Sequence, residues 1–312
     1  MHALAVILDR PERIGLDRLA LDAPGAADAV VEVAWSGISA GTERLLWSGR
    51  MPDFPGMGYP LVPGYEAVGR VIAAGPDSGR SVGETVFVPG ARCFGTVRGL
   101  FGAAASHLVV EGRRLLPIPD TLGERGVLLA LAATAYHALS GEEGGGRQLI
   151  VGHGVLGRLI ARLARLSGAE PVVWERDPAR RSGAHGYAVL DPAADEGTAY
   201  ARITDASGDA GLLDALIARL APGGEVVLAG FYAAPLSFAF PPAFLREARI
   251  RVSAQWRPGD LDAVTALAAA GSLDLGGLIT HRRPAAEAEA AYRTAFGDPA
   301  CLKMVLDWSA RS

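Results

Sequence analysis

Residues 148–157 read QLIVGHGVLG, and an acid, Glu175, follows eighteen residues after the last of the three glycines. Leu149 to Val151 form a short apolar run with strand character. Gly152-x-Gly154-x-x-Gly157 then opens an amphipathic stretch, LGRLIARLARLSG, and a second apolar run, PVVW, ends in Glu175. Each part has a physical task. Gly152 permits a tight turn, Gly154 lets the backbone approach a pyrophosphate, and Gly157 lets helix and strand pack closely. The helix start, with Val155 and Leu156, offers free N–H groups and the positive end of the helix dipole. Glu175 can accept hydrogen bonds from both hydroxyls of a ribose. The stretch predicts a dinucleotide site on a strand–turn–helix–strand unit. The competing explanation is a glycine-rich turn without a ligand.

Glu175 also bears on which dinucleotide binds. A carboxylate there repels a 2′-phosphate and favours NAD over NADP. Arg176 is the next residue, and an arginine in that place can bind the same phosphate; its other reading is a solvated loop charge. NAD is the expected cofactor.

The chain has 312 residues, which suggests two domains with enough apolar content for two cores. A net charge of −4 with no basic block argues against a nucleic-acid partner. No run of 18 apolar residues occurs, so no membrane span is expected. The N-terminal stretch MHALAVILDRPERIG lacks a basic segment and a cleavage site, so no signal peptide is read. Cys93 and Cys301 are far apart and are read as free thiols of a cytoplasmic protein.

The texture changes along the chain. Residues 1–118 alternate short Val/Ile runs with Gly/Pro turns, as in DAVVEVAWSG, EAVGRVIAAG and ETVFVPG, which predicts an all-β barrel or sandwich. From about residue 122 helical and strand runs alternate. GVLLALAATAYHALSG reads as helix, and IVGHG, PVVWE, RITDASG, EVVLAGF and RIRVSAQW read as strands. That alternation predicts a parallel, doubly wound sheet, so the fold class is α/β with a β-rich partner domain. Ligands of such sheets bind beyond the carboxyl ends of the strands. Ser207 and Gly208 after one strand, and Gly230, Phe231 and Tyr232 after the next, are therefore expected to line the ligand crevice.

The segments VEVAWSGISAGTE (31–43), VPGYEAVGRVIAAG (62–75), VGETVFV (82–88), the fingerprint unit and GLITHRRPAAEAEAAYRTAFGDPACLKMVLDW (277–308) resemble the medium-chain dehydrogenase/reductase superfamily over the whole chain. The resemblance implies a GroES-like β-barrel catalytic domain at 1–121, a Rossmann NAD-binding domain at 122–262, and a segment at 263–312 that returns to the catalytic domain. It also implies an active site between the two domains. Zinc members carry a cysteine where this chain has Ser39 or Ala40, a histidine where it has Tyr65, and a third ligand near Ala133-Thr134-Ala135. A catalytic zinc needs about three N, S or carboxylate ligands, and Glu66 alone does not supply them. No metal is expected.

A finer similarity lies in SGISAGTERLLWSGRMPDFPGMGYPLVPGYE, ITDASGDAGLLDALI and GEVVLAGFYAAPLSFAFPPAFLREARIR, which look like the superfamily's bacteriochlorophyllide dehydrogenase branch. That branch implies oxidation of a 3-(1-hydroxyethyl) side chain to 3-acetyl, with NAD as acceptor and a bacteriochlorophyllide as small-molecule partner. A homodimer is compatible with it, although the residues do not decide the oligomeric state. Without metal, a hydrogen-bonding group must handle the alcohol proton. Tyr65 and Thr42 are the favoured pair. Glu43, Glu66 and His137 complete the catalytic candidates, each with a structural alternative: an orienting acid, a supporting acid and a packed helix histidine. Trp47, Met57 and Tyr59, with Tyr232, are the candidates for contact with the flat ring. For the first three, the alternative is a loop anchored by its own apolar residues. Two other functions remain open on sequence: a zinc-free NADPH quinone or enone reductase, and a non-catalytic tetrapyrrole-binding protein on a dehydrogenase fold.

Overall fold

The computed structural model describes residues 1–141, 146–257 and 259–309. They divide into two compact units, Met1–Ala130 with Leu278–Ser312, and Leu131–Gly277.

The first unit is β-rich. Its centre is the eleven-residue strand Asp28–Ile38, whose burial is nearly continuous because neighbours cover both faces. It pairs antiparallel with Ala67–Ala74, His107–Glu111 and Lys303–Asp307. Strands Thr85–Val88, Leu116–Pro117 and Ile279–Pro284 extend that sheet. A second sheet holds Arg13–Ala20, His2–Arg10, Leu61–Val62 and Arg98–Gly99. Strand His2–Arg10 serves two cores. Ala3 and Ala5 pack with Val31, Val33, Val71 and Leu108, whereas Val6 and Leu8 pack with Ile38, Tyr292, Met304 and Leu306. The C-terminal strand reaches the centre in a fixed register, with Met304 opposite Ile38 and Asp307 opposite Trp35.

The second unit is a six-stranded parallel sheet. Along the chain its strands are Gly146–Val151, Ala169–Trp174, Ala188–Leu190, Tyr200–Asp205, Leu220–Leu228 and Arg249–Val252. In space they run third, second, first, fourth, fifth, sixth, all parallel. This is the doubly wound sheet expected from the alternating texture, and its order reverses beside Gly146–Val151.

The unit boundaries fall at 130/131 and 277/278 rather than at 121/122 and 262/263. The turns of Asp120–Leu128 stay with the β-rich unit because Gly126 lies against Val68 and Ile118; a Cβ there would stand 2.7 and 2.8 Å from their side chains. Residues 263–277 stay with the parallel sheet because Arg162 donates to the carbonyls of Asp274 (2.7 Å) and Gly276 (3.0 Å).

Helix Val155–Leu166 departs from a simple amphipathic pattern. Leu159, Ile160 and Leu163 are buried, and so are Arg158 and Arg162. Their guanidinium groups bond backbone carbonyls instead of facing water. Gly157 sets how near this helix comes to the sheet. A Cβ on it would lie 1.8 Å from the Gly152 carbonyl oxygen. Gly157→Ala should therefore cost about 1–3 kcal/mol or more, the usual range for overpacking against unyielding atoms. Thermal unfolding should show a midpoint lower by several degrees, and an unchanged midpoint would show that the helix can move away freely.

Candidate functional site

In the parallel-sheet unit, the nucleotide candidates gather at the carboxyl ends of four neighbouring strands. Gly152 follows the first strand at φ 96°, a left-handed value that suits glycine. Gly154 has nothing within 4 Å of where a Cβ would project, so the space in front of it is open. It precedes helix Val155–Leu166, and no side chain caps that helix. The N–H groups of Val155, Leu156 and Gly157 are therefore among those a helix start leaves without helical partners. Such a cradle fits a diphosphate.

Glu175 follows strand Ala169–Trp174, and its carboxylate is fixed by two backbone donors, His153 N–H (3.0 Å) and Asp177 N–H (2.9 Å). It stands at the fingerprint turn, as its spacing predicts. Arg176 turns to Asp209 at 3.3 Å. Ser207 donates from N–H and hydroxyl to the buried Asp205 carboxylate, at 2.8 and 2.6 Å. Gly208 and Gly230 meet backbone to backbone; a Cβ on Gly230 would lie 2.7 Å from Gly208 N. Phe231 is exposed. Tyr232, expected at the ring substrate, donates its phenol O–H to Asp205 Oδ2 at 2.7 Å and braces this strand end instead.

Sequence reasoning gave the His153 side chain little weight. It is fully buried, with Nδ1 2.7 Å from the Arg180 carbonyl and Nε2 2.9 Å from the Tyr187 hydroxyl. Burial is the largest cause that pushes its pKa down, to about 4.

In the β-rich unit, Ser39 and Tyr65 meet. Their hydroxyl oxygens are 2.7 Å apart. The Phe101 ring stands edge-on to Tyr65 with centroids 5.7 Å apart. Burial, then the nearby Glu66 charge, raises the phenol pKa, and hydrogen bonds with the Ser39 and Thr42 hydroxyls pull the other way. Tyr65 is thus a neutral phenol tied to two hydroxyls. Thr42 begins helix Thr42–Trp47 and lies half-buried beside it.

Glu43 and Glu66 serve the frame around this pair. Glu43 is buried; Oε1 accepts from Ser39 N–H (2.9 Å) and Oε2 from the Tyr292 hydroxyl (2.7 Å). Loss of hydration outweighs those bonds and pushes its pKa up to about 7. Glu66 is bound by the Lys303 ammonium at 2.7 and 3.0 Å, and Lys303 also donates to the Ile38 carbonyl at 3.2 Å. Both side chains are buried. All three ammonium protons are therefore placed. Deleting either partner would strand a buried charge, a loss of roughly 3–5 kcal/mol. Gly37 makes room, since a Cβ there would lie 2.3 Å from Glu66 Oε2.

The remaining candidates are placed elsewhere. His137 belongs to the parallel-sheet unit, where Nδ1 lies 3.2 Å from Asp260 Oδ2; it is a packed helix histidine there. Trp47, Met57 and Tyr59 pack on the apolar core that holds Leu46, Met51 and Tyr292. Trp47 also meets the Phe296 ring at 5.6 Å, and Tyr59 donates to the Leu46 carbonyl. This loop is anchored by its own apolar residues.

The donor set in the β-rich unit does not fit a catalytic zinc. Ser39 and Tyr65 offer neutral hydroxyls, and an ammonium already occupies both Glu66 oxygens. Among the described residues, no three His, Cys, Asp or Glu side chains gather as metal ligands.

Residues 25–120 match the alcohol dehydrogenase GroES-like domain family. A protein of Rhodobacter capsulatus named 2-desacetyl-2-hydroxyethyl bacteriochlorophyllide A dehydrogenase is 56% identical over 99% of each chain. One of the same name in Cereibacter sphaeroides is 55% identical, again over 99% of each. The chain belongs to this dehydrogenase family. The fold is shared with an Escherichia coli CFT073 alcohol dehydrogenase solved as a complex with NADH, at TM-score 0.86 and 20% identity, covering 98% of this chain and 99% of that one. The family assignment makes the chain an oxidoreductase of alcohol groups. The sequence pointed to the glycine turn and Glu175, and the resemblance to Tyr65, Thr42 and Glu66. It did not point to Lys303 or Tyr292, whose partners lie 237 and 249 residues away.

The Glu43 carboxyl has a consequence for stability. Its pKa is near 4.5 when solvated and about 7 when folded, so the native state holds the extra proton between those values. The contribution of Glu43 to stability is full below pH 4.5 and is lost as pH rises through 7, by roughly 3 kcal/mol in total. Glu43→Gln keeps an acceptor for Ser39 and removes the titration. Melting temperatures measured from pH 5 to pH 8 should shift in favour of the variant as pH rises; a constant difference would show that Glu43 is ionised throughout.

Proposed function

We propose that this chain oxidises the hydroxyethyl group of a bacteriochlorophyllide to an acetyl group, with NAD as hydride acceptor and without zinc, in the cytoplasm. The substrate follows from the two near-full-length relatives. The geometry that carries the cofactor reading is the Glu175 carboxylate, held by two backbone N–H groups at an open glycine turn. An acid there suits ribose hydroxyls and repels a 2′-phosphate. Arg176 points to Asp209, which leaves that repulsion in place.

A dinucleotide held by the glycine turn and Glu175 would supply a hydride acceptor for the carbinol carbon. The chain's own residues then deal with the hydroxyl proton. Tyr65 carries a phenol whose raised pKa keeps it protonated, so it is no standing base but a relay: it takes the alcohol proton as it passes its own to a neighbouring hydroxyl, and bulk water is the final acceptor. The Ser39 and Thr42 hydroxyls continue the relay, and the Ser39–Tyr65 contact at 2.7 Å allows a proton to pass either way. Glu43 and Glu66 position this pair, the first through Ser39 N–H and the second through its place next to Tyr65. The zinc-free reading is supported by the Lys303 ammonium, which answers the Glu66 charge internally.

The direct experiment incubates the protein with the hydroxyethyl bacteriochlorin and NAD, and follows the red-shifted absorption of a conjugated acetyl product. The shift should appear with NAD and survive chelator treatment. Absence of product with either dinucleotide removes the reaction, and loss of activity on chelation with zinc recovered removes the zinc-free part.

Tyr65→Phe separates relay from wall. If the phenol passes the proton, kcat should fall by about 10²-fold with little change in KM, because Phe keeps the ring. Thr42→Val should give a smaller loss of kcat. Near-wild-type kcat in both variants would take the pair out of the reaction.

A further inference from the structure

His153 lies between the first two fingerprint glycines, and each of its polar groups is used. Its N–H donates to Glu175 Oε2 at 3.0 Å, and its carbonyl accepts from Arg158 Nε at 3.0 Å. On its ring, Nδ1 faces the Arg180 carbonyl, which can only accept. Nδ1 therefore carries the proton, and Nε2 accepts from the Tyr187 hydroxyl. The Tyr187 ring stands edge-on to the imidazole with centroids 5.6 Å apart. One residue thus ties the glycine turn, the acid Glu175 and both ends of the loop 177–187.

Two arginines beside that loop, Arg158 and Arg181, are turned inward. Arg158 donates to the carbonyls of Gly183 (3.0 Å), Arg180 (3.1 Å) and Ser182 (2.8 Å). Arg181 donates to the carbonyls of Glu175 and Arg176, both at 2.8 Å, and to Asp191 at 2.5 Å. Arg176 faces Asp209. Two guanidinium groups that would suit a 2′-phosphate, Arg158 and Arg181, are thereby committed to carbonyls and a carboxylate, and the exposed Arg176 is paired with Asp209, while Glu175 is held forward.

We propose that the His153–Tyr187 hydrogen bond is a latch that sets dinucleotide choice: it holds the 177–187 loop so that Glu175 meets an unphosphorylated ribose and these arginines stay bound within the protein. The inference rests on the NAD reading above. His153 and Tyr187 are positioning residues, because they act through Glu175 and the loop.

The test uses the full chain and titrates NADH and NADPH separately by nicotinamide fluorescence, with melting temperatures recorded for each variant. Tyr187→Phe removes only the hydroxyl. His153→Asn keeps a donor for the Arg180 carbonyl and loses the bond to Tyr187. Each variant should move the ratio Kd(NADPH)/Kd(NADH) by about fivefold toward NADPH, the size of one hydrogen bond near 1 kcal/mol. The double variant should match the single ones, since both remove the same bond. KM for NAD should rise while kcat holds. A wild type that prefers NADH, with a ratio unchanged in a folded Tyr187→Phe, overturns the latch and leaves the NAD reading standing. Equal weakening of both dinucleotides also overturns it, because that is a purely structural effect. A wild type that binds neither dinucleotide overturns the NAD reading and the latch together.

Discussion

The β-rich unit turns on one buried ion pair. Lys303 and Glu66 are both removed from water, and each would be costly to bury alone. Their contact fixes the strand Lys303–Asp307 against Asp28–Ile38, where the Lys303 ammonium also bonds the Ile38 carbonyl. The residues next in line carry the hydroxyl pair. Ser39 follows Ile38, and Tyr65 precedes Glu66. A charge pair thus stands directly behind two hydroxyls 2.7 Å apart.

The parallel-sheet unit solves a different problem, which is how to leave room for a ligand's phosphates. It does so at Gly154, which faces open space, whereas Gly208 and Gly230 omit side chains so that two strand ends can meet backbone to backbone. The cations near this turn are used inside the protein. Arg158 spends its donors on carbonyls of the following loop, so a helix face that would ordinarily be solvated becomes a framework for the acid Glu175.

The chemistry of the hydroxyl cluster follows from electrostatics without metal ligands. Burial raises the pKa values of Tyr65 and Tyr292, and it lifts Glu43 to about 7. The two tyrosines are uncharged near neutrality, and Glu43 is about half protonated there. The one strongly charged pair compensates itself. Neutral hydroxyls in contact can pass a proton without holding a charge in a poorly hydrated place.

The sequence by itself determined the two textures, the parallel sheet, the fingerprint turn and the placing of Glu175, because all of these rest on local spacing: period, turn glycines and a fixed interval of eighteen residues. The resemblance added Tyr65, Thr42 and Glu66 at the positions of a known motif. Only the tertiary structure decided which charges are buried and with whom. Lys303 stands at the start of an apolar strand and reads as a solvated charge, yet its partner is 237 residues away. Tyr292 reads as one aromatic of an Ala-rich helix, and it holds Glu43 from 249 residues away. His137 and the aromatic loop around Trp47 carried ligand-like side chains, and their true neighbours, Asp260 and Phe296, are equally remote in sequence. Spacing reports what the chain can do within a turn or two. Pairing of buried polar groups is settled by packing across the whole unit, where each group must find a partner or bear the loss of water.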